Sequence, residues 1–419
     1  MIDQPLTIMT VLLTGASGFL GTQIARELLR IPGCSLIALV RAPDAETARK
    51  RLRREWWDFS DLRQAVEAGE RVEALPGDIT LPDLGVGESA YHSLATRITT
   101  IIHAAADVRL FAPLEELERV NISGTRHVLE LARAVHRHHG LGRFAHISTA
   151  YVCGGRSGAI DEDELNDRAG FSNPYERSKY EGEMLVRQEI ERLPVTILRP
   201  GMIVGDSSSG VIKTFNTLYY PLKLYLTSRL RVAPANSQLR VDFAPVDYVA
   251  RTVVQLAFHP EAAGRTFHLT PPGEASPTLG EMVEAVRRWA AQEMGLKLPA
   301  PLFTGNWPGP GTIQKFAPLF EKIAGPDMAA LVRLLPYFRK QPVFRRANTD
   351  RLAGPYPHRW QDLLAPLLRY AVRYSFWHRS HRTVHEQILH RLQSKSRPIR
   401  YHDLQPPRTL TQTRNHHRG

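Results

Sequence analysis

The sequence predicts an α/β fold in which a doubly wound parallel sheet is joined to a smaller, mainly helical C-terminal region. Short apolar segments alternate with helical patterns along the first part of the chain, which is typical of parallel strands joined by helices. A glycine-rich turn follows the first apolar segment and leads directly into a helical pattern. Beyond residue 205 the alternation is weaker. The predicted strands are residues 9–14, 35–41, 71–75, 100–103, 143–148, 195–199, 241–245 and 266–270.

The positive charge of the chain is concentrated at its C-terminal end. Residues 336–419 contain 17 Lys and Arg but only 4 Asp and Glu, so they account for more than the whole net charge of +12. A basic segment of this kind indicates an acidic partner, such as a phosphate-bearing ligand, an acidic protein or an anionic membrane surface. A solvated surface without a partner explains the charge equally well, and we expect no nucleic acid partner.

The composition predicts a protein of a reducing compartment. The chain has 2 cysteines, too few for a disulfide framework or a cysteine metal cluster, and we predict no metal site. The first residues lack the basic start of a secretory signal, and no apolar run reaches the roughly 18 residues of a membrane span. We therefore expect a cytoplasmic protein, with peripheral contact at the inner membrane face left open for the basic C-terminal region.

Three glycines mark the turn after the first predicted strand. Gly15, Gly18 and Gly21 are spaced three residues apart and stand between a strand and a helix. Glycine permits a tight turn and a close approach of the backbone to a pyrophosphate, while the helix start offers free N–H groups to the phosphates. The position of the motif in a strand–turn–helix unit favours a dinucleotide site over a ligand-free tight turn.

The end of the second predicted strand indicates which dinucleotide is bound. Arg41 stands twenty residues after Gly21, where an NAD-binding protein would carry an acid for the ribose 2′-hydroxyl. A guanidinium favours the 2′-phosphate of NADP instead, and the nearest acid, Asp44, lies further on. Asp78 follows the third strand and is placed to meet the adenine edge. Small side chains at the end of the fourth strand leave room for the cofactor: Ala104, Ala105 and Ala106.

A tyrosine and a lysine on one predicted helix are candidates for acid–base chemistry. Tyr175 and Lys179 are four residues apart and therefore share a helix face. A neighbouring ammonium stabilises a phenolate, so we expect Lys179 to lower the pKa of Tyr175. Thr149 or Ser148, at the end of a strand, supplies a hydroxyl for a substrate oxygen.

The same spacing occurs a second time, at Tyr219 and Lys223. Pro221 between them disfavours a helix interior, and no hydroxyl at a strand end precedes the pair at a comparable distance. Tyr175 instead follows Pro174, a helix-start signal. We therefore expect Tyr219 to pack in the core or to line a substrate pocket.

Taken together, these motifs resemble the extended short-chain dehydrogenase/reductases, and more narrowly their thioester-reductase and fatty acyl-CoA reductase branch. The resemblance covers about residues 10–270, and the long insert after Arg41 favours this branch over sugar-nucleotide epimerases. The motifs are TGASGFLG (14–21), LVRA (39–42), PGDI (76–79), HAAADV (103–108), NISGT (121–125), HISTAYV (146–152), NPYERSKYEGE (173–183), ILRPGMIVGDSSSG (197–210) and FAPVDYVA (243–250).

The resemblance implies roles for individual residues. Thr149 matches the catalytic hydroxyl of the family, Tyr175 its proton donor, and Lys179 the residue that lowers the tyrosine pKa and holds the nicotinamide ribose. Asn121 matches an asparagine that supports the active-site helix, and Pro200 would lie beside the nicotinamide. Further cofactor contacts are implied for Ser17, Phe19, Leu20 and Ile79, together with the glycines, Arg41, Asp78 and the three alanines.

The implied reaction is reduction of an acyl thioester by NADPH. The acyl group would be carried by CoA or by an acyl carrier protein, and the product would be an aldehyde, with further reduction to an alcohol left open. Alternatives on the same scaffold are a sugar-nucleotide epimerase or dehydratase and a hydroxysteroid-type alcohol dehydrogenase. A non-catalytic NADP-sensing regulator is a further alternative, although the catalytic residues are all present. The oligomeric state is open, with a homodimer as one candidate.

We predict three parts along the chain. Residues 1–270 form the NADP-binding domain with the catalytic residues, 271–335 a substrate-binding region, and 336–419 a basic helical extension with a frayed tail. In the extension, residues 360–377 combine leucines, aromatics and arginines at helical spacing. This helix is either an interfacial membrane or carrier-docking element or a helix that packs its leucine face on the body of the protein.

Overall fold

A seven-stranded parallel sheet forms the centre of the structure, a computed structural model that describes residues 9–56, 59–215, 217–227, 230–233, 235–305, 337 and 340–374. The strands are β1 (Met9–Thr14), β2 (Cys34–Val40), β3 (Val72–Pro76), β4 (Thr100–His103), β5 (Arg143–Ile147), β6 (Gly158–Ile160), β7 (Val195–Pro200), β8 (Ile203–Val204), β9 (Val232–Ala233), β10 (Ala244–Pro245), β11 (Arg265–Leu269), β12 (Leu302–Phe303) and β13 (Pro342–Phe344). The large sheet has the order β11-β7-β5-β4-β1-β2-β3.

Helices cover both faces of this sheet. They are α1 (Phe19–Leu29), α2 (Ala45–Glu55), α3 (Ser60–Ala68), α4 (Glu88–Arg97), α5 (Leu114–Glu118), α6 (Gly124–His139), α7 (Pro174–Arg187), α8 (Tyr219–Leu226), α9 (Val246–Phe258), α10 (Leu279–Trp289), α11 (Ala347–Ala353) and α12 (Trp360–Tyr374). Alternate residues of β1 point to opposite faces: Val11 and Leu13 join one buried cluster, and Leu12 joins another. The predicted doubly wound parallel sheet is confirmed.

The strand order places a crevice above the centre of the sheet. β1 pairs with β2 on one side and with β4 on the other, so the connections leave β1 in opposite directions. In open α/β sheets, ligands bind outside the carboxyl ends of the strands at such a switch point. Residues 15–21 and 104–106 both lie at this point because they follow β1 and β4.

The C-terminal region has a hydrophobic cluster of its own, made chiefly by α8, α10 and α12. The apolar side chains of α12 are buried in this cluster: Leu363, Leu364, Leu367, Leu368, Ala371 and Val372. This packing favours the second interpretation of the 360–377 segment, in which the leucine face lies on the body of the protein. Residues 375–377 and the predicted frayed tail lie outside the described residues.

Part of the basic extension also joins the N-terminal fold. β13 pairs in parallel with β6, and α11 packs against β11. Within the described residues, no helix is both long and apolar enough to cross a bilayer. The same residues hold no group of three or more His, Cys, Asp or Glu placed to bind a metal ion.

Two local expectations were wrong. In the predicted strand 241–245, only Ala244–Pro245 is extended and paired, with β8. Pro221 does not prevent a helix, because it lies in the first turn of α8, where its missing N–H would have no partner within the helix.

Candidate active site

The glycine turn lies directly against the loop after β4. Gly15 has φ +74°, and a Cβ atom there would lie 2.7 Å from the carbonyl carbon of Ala104. A Cβ atom on Gly21 would lie 2.0 Å from the Gly15 oxygen. Gly18 precedes α1 with an extended backbone and no side-chain cap, so the first-turn N–H groups of α1 are not used by a capping side chain. The turn therefore fits a phosphate group at the start of α1.

Three further residues of this turn, Ser17, Phe19 and Leu20, are half-buried. Ser17 lies in the turn itself, Phe19 packs against the C-terminal cluster, and Leu20 packs against the core of the sheet. The indole Nε1 of Trp56, the residue that follows α2, donates a hydrogen bond of 2.9 Å to the Ala16 carbonyl. This bond connects the turn to the end of α2. No pattern in the sequence indicated this contact, because the two residues are 40 positions apart.

Arg41 is exposed immediately after β2. Its carbonyl accepts a hydrogen bond of 2.8 Å from Arg51 Nη1, which brings a second guanidinium to this edge. Asp44 is the N-cap of α2, and its Oδ1 accepts from the Thr47 N–H at 2.8 Å. Asp44, the nearest acid in the sequence, is therefore engaged in capping.

Asp78 and Ile79, which follow β3, each accept a hydrogen bond from within the protein. Asp78 Oδ1 accepts a hydrogen bond of 2.9 Å from the Thr80 N–H. The Ile79 carbonyl accepts one of 2.8 Å from the His127 ring, and the Ile79 side chain packs on Gly124 of α6. The Ile79 side chain is thus part of the core.

Asn121 connects the loop after β4 to α7. It lies in a π-helical turn, residues Arg119–Ser123, that leads into α6. Its Oδ1 accepts from the Asp107 N–H at 2.8 Å, and its Nδ2 donates to Ser178 Oγ at 2.9 Å. Ala105 N–H donates to Thr14 Oγ1 at 3.1 Å, which holds the middle of the three alanines. The Asn121 amide is therefore occupied in joining these elements.

Tyr175 is presented by the start of α7. Asn173 caps the helix, with Oδ1 accepting from the Glu176 N–H at 2.9 Å, and Pro174 occupies the first helical position. Burial raises the pKa of Tyr175, and the nearby Thr149 hydroxyl partly opposes the rise. Thr149 Oγ1 is 3.4 Å from the Pro200 carbonyl, to which it donates. The structure thus brings Thr149, Tyr175 and Pro200 together at the carboxyl end of the sheet.

Lys179 lies one turn after Tyr175, as expected, but its ammonium has a backbone partner. Nζ donates a hydrogen bond of 2.8 Å to the Ile147 carbonyl, and burial lowers the pKa of Lys179 to about 8. Burial is the largest influence on the pKa of Tyr175 and raises it. A lowering of that pKa by Lys179 stays a prediction.

Ser148 has a different partner. Its Oγ donates a hydrogen bond of 2.6 Å to Glu183 Oε2, and Glu183 forms an ion pair of 2.7 Å with Arg199. All three residues are buried, so the Ser148 hydroxyl belongs to a polar network behind the site. Of the two hydroxyls that the sequence left open, Thr149 is the one next to Tyr175.

Glu183 makes the stability of the protein depend on pH. Burial alone would raise the pKa of Glu183, but Arg199 and Arg187 outweigh burial and lower that pKa to about 2. The stabilisation is present above the ordinary pKa of 4.5 and is lost as the pH falls towards 2. We expect the free energy of unfolding to decrease by about 3 kcal/mol over this range. Urea unfolding at several acidic pH values measures it, and the Glu183→Gln variant should show a flatter profile; equal slopes would contradict the assignment.

The sequence analysis missed a second buried ion pair beside Tyr175. Lys340 Nζ is 2.7 Å from Glu176 Oε1 and donates to the Gly154 carbonyl at 2.9 Å. Tyr151 OH donates to Asp242 Oδ1 at 2.5 Å nearby. No local pattern could have revealed the Lys340–Glu176 pair, because its members are 164 positions apart.

A dinucleotide-binding crevice, with a tyrosine and a lysine on one helix at its edge, defines an NAD(P)-dependent oxidoreductase of the extended short-chain dehydrogenase/reductase type. The model of the NAD-binding family described as Male sterility protein matches residues 13–253 of this chain. Because this match covers more than half of the 419 residues, the chain belongs to that family.

Related proteins support this assignment. The L-2-aminoadipate reductase large subunit of Penicillium chrysogenum is 35% identical over 269 residues, which are 61% of this chain and 19% of that protein. This chain therefore matches about a fifth of the length of that relative. The solved terminal R domain of the myxalamid PKS-NRPS pathway is 28% identical, with a TM-score of 0.73 and coverage of 88% of this chain and 92% of that chain.

A second solved structure is the reductase (R) domain of a nonribosomal peptide synthetase from Mycobacterium tuberculosis. It is 27% identical, with a TM-score of 0.63 and coverage of 87% of this chain and 92% of that chain. These similarities confirm the predicted membership of the thioester-reductase-like branch of the extended short-chain dehydrogenase/reductases.

Proposed function

We propose that this protein uses NADPH to reduce an acyl thioester, borne by CoA or by a carrier protein, to an aldehyde and a free thiol. The observation that carries the proposal is the position of Tyr175, with Thr149 beside it and Lys179 one turn away, at the edge of the dinucleotide crevice. The names of the Penicillium relative and of the R domains, all reductases, support the same class of reaction.

The residues of the crevice fit NADPH. No side chain fits at Gly15 or Gly21, because a Cβ atom there would overlap with neighbouring backbone atoms. The start of α1 has no side-chain cap and therefore suits a pyrophosphate. Arg41, with Arg51 near it, would hold the 2′-phosphate. Asp78, the half-buried alanines and Pro200 would border the adenine and nicotinamide portions. Bound NADPH would supply the hydride.

Residues of the chain would bind the carbonyl oxygen of the substrate and supply a proton to it. Thr149 and Tyr175 would donate hydrogen bonds to the carbonyl oxygen, on which negative charge develops as the hydride adds to the carbon. Tyr175 would transfer its proton to that oxygen, giving a hemithioacetal. Collapse of this intermediate breaks the carbon–sulfur bond. The hydroxyl becomes the aldehyde carbonyl, its proton passes to the sulfur that leaves as a thiol, and Tyr175 would regain a proton from solvent. Lys179 would hold the nicotinamide ribose and keep positive charge near the site.

The proposal also covers a second reduction step and the location of the protein in the cell. The aldehyde would be a candidate for a second reduction to the alcohol by the same residues. We place the protein in the cytoplasm. Because the leucine face of α12 is buried, that helix is not proposed as a membrane contact, and the basic residues beyond 374 lie outside the described part of the chain.

Simultaneous measurement of NADPH, thiol and product tests the proposal. The protein is mixed with NADPH and a panel of acyl-CoA thioesters, and the loss of NADPH absorbance, the release of thiol and the appearance of aldehyde or alcohol are followed together. We expect one thiol for each acyl group reduced. Turnover of sugar nucleotides or hydroxysteroids, with no thiol released from any thioester, would favour the alternatives.

Arg41 provides a prediction about cofactor choice. The Arg41→Ala variant should raise the KM for NADPH about 10- to 100-fold, because a charge-assisted hydrogen bond to phosphate is lost. The KM for NADH, which lacks the 2′-phosphate, should stay unchanged. Arg30→Ala, at the opposite end of α1, is the matched control and should alter neither value. An equal rise for both cofactors in Arg41→Ala would contradict the assignment.

A further inference from the structure

Two histidines lie side by side in the core of the large sheet. His103 of β4 is paired with His146 of β5, and their ring centroids are 5.4 Å apart. Both side chains are buried. Within the described residues, neither ring nitrogen of His146 has a hydrogen-bond partner, whereas each ring nitrogen of His103 has one. The two residues therefore share a location but differ in what they connect.

The hydrogen bonds of His103 fix the position of its ring proton. Thr125 Oγ1 donates its only proton to the Asn121 carbonyl at 2.7 Å, so it can only accept from His103 Nε2, at 3.1 Å. Burial, together with the charge of Lys179, lowers the pKa of His103 to about 3, so the ring is neutral at pH 7. Nδ1 is then an acceptor, and Thr14 Oγ1 donates to it at 2.8 Å.

These bonds form one chain between the loop after β4 and the start of α7. At one end, the Ala105 N–H donates to Thr14 Oγ1 at 3.1 Å. At the other end, Asn121 Nδ2 donates to Ser178 Oγ at 2.9 Å, and Ser178 Oγ donates to the Tyr175 carbonyl at 2.9 Å. The histidine at the centre of the chain thus connects an alanine of the cofactor crevice to the backbone of the tyrosine.

The direction of every bond in this chain is determined. Each hydroxyl accepts one proton and donates one, because a backbone N–H can only donate and a carbonyl can only accept. The side chains of the chain are all buried, so water does not compete for these groups. The separation between the crevice and the start of α7 is therefore set by hydrogen-bond lengths as well as by packing.

We propose that His103 is a positioning residue, which acts through Thr14 and Thr125 to hold Tyr175 at a fixed distance from the cofactor crevice. This inference rests on the proposed function. Hydride and proton must reach the carbon and the oxygen of one carbonyl group, and a misplacement of about 1 Å can lower the rate by on the order of 100-fold. We expect the effect on kcat, because the turn after β1 and Arg41, which would bind NADPH, are not members of the chain.

Thr125→Val interrupts the chain without changing the shape of the side chain. We expect kcat for the best acyl-CoA of the panel to fall about 10- to 100-fold, while the KM for NADPH changes by less than about threefold. Thr125→Ser keeps the hydroxyl and should retain most of kcat. An unaltered kcat in Thr125→Val, or a serine variant as slow as the valine variant, would overturn the inference alone. Absence of thiol release from the unsubstituted protein would overturn the proposed function.

The histidine pair provides a matched control. His103→Leu removes two hydrogen bonds, and we expect kcat to fall about 10- to 100-fold. His146→Leu, on the neighbouring strand, removes none, and kcat should stay within about twofold of the unsubstituted value. Thermal unfolding of both variants shows that the assays are run on folded protein. Equal losses of kcat in the two variants would overturn the inference, because they would indicate packing rather than the chain.

The ring proton can be measured without turnover. In ¹⁵N NMR spectra of the full-length protein with labelled histidine, the His103 signals are those missing from His103→Leu. We expect the neutral Nε2–H form throughout the range of about pH 5 to 9, in which an ordinary histidine titrates. An Nδ1–H form, or a positively charged ring within this range, would overturn the chain whatever the result of the activity assays.

Discussion

The Tyr175→Phe variant is expected to lose on the order of 10²- to 10⁴-fold in kcat for thioester reduction, the usual contribution of a positioned proton donor. The phenylalanine ring keeps the shape of the side chain but has no proton to transfer and no donor for the developing oxyanion. Burial raises the pKa of Tyr175, so the hydroxyl carries its proton at neutral pH. NADPH oxidation and thiol release measure the loss, and NADPH binding, followed by fluorescence titration, should be unchanged.

Tyr219→Phe is the matched control for this experiment. Tyr219 is also a buried tyrosine four residues before a lysine, but its hydroxyl accepts a hydrogen bond of 3.2 Å from the Gly205 N–H. We expect this variant to lose about 1 kcal/mol of stability at most, with turnover retained. Turnover retained by Tyr175→Phe, or lost equally in both variants, would contradict the assigned role of Tyr175.

The Lys340→Met variant is expected to lose about 3–5 kcal/mol of stability, because it leaves a carboxylate buried without its counter-ion. Both members of the pair are almost inaccessible, with exposed side-chain fractions of 4% for Lys340 and 0% for Glu176. The uncompensated Glu176 charge would also raise the pKa of Tyr175 further, since Glu176 already acts in that direction. We therefore expect kcat to fall as well. Urea unfolding and NADPH oxidation measure the two effects.

The double variant Lys340→Met with Glu176→Gln separates charge from packing. Removal of the carboxylate charge should restore most of the stability and of kcat, because no ion is then left unpaired. Arg351→Met, which breaks the exposed pair with Glu261, is the control and should change stability little. A double variant as unstable as Lys340→Met would contradict the electrostatic explanation.

The parts of the site that the sequence predicted are those formed by neighbours in the chain. The turn from Gly15 to Gly21 joins β1 to α1, and its tight contacts follow from the missing side chains. Tyr175 and Lys179 share a helix face because α7 begins at Pro174 after the Asn173 cap. In each case the spacing of a few residues sets the geometry directly.

Other features depend on side-chain directions that spacing does not determine. Ser148 and Thr149 are adjacent, yet one donates to Glu183 and the other lies beside Tyr175, because successive residues at a strand end point in different directions. Lys179 Nζ donates to the Ile147 carbonyl at the end of β5, a partner that the spacing does not indicate. Only the packing of α7 on the sheet decides these directions.

Short-range patterns of glycine, apolar residues and helix signals are enough to predict the class of fold, the tight turn after β1, and the shared helix face of Tyr175 and Lys179. The ion pair of Lys340 with Glu176 beside that tyrosine and the burial of the α12 leucines follow from the tertiary structure alone. The hydrogen-bond chain through His103 also follows from the tertiary structure. These features join residues far apart in the chain, and burial determines which partners a charge or a leucine face finds.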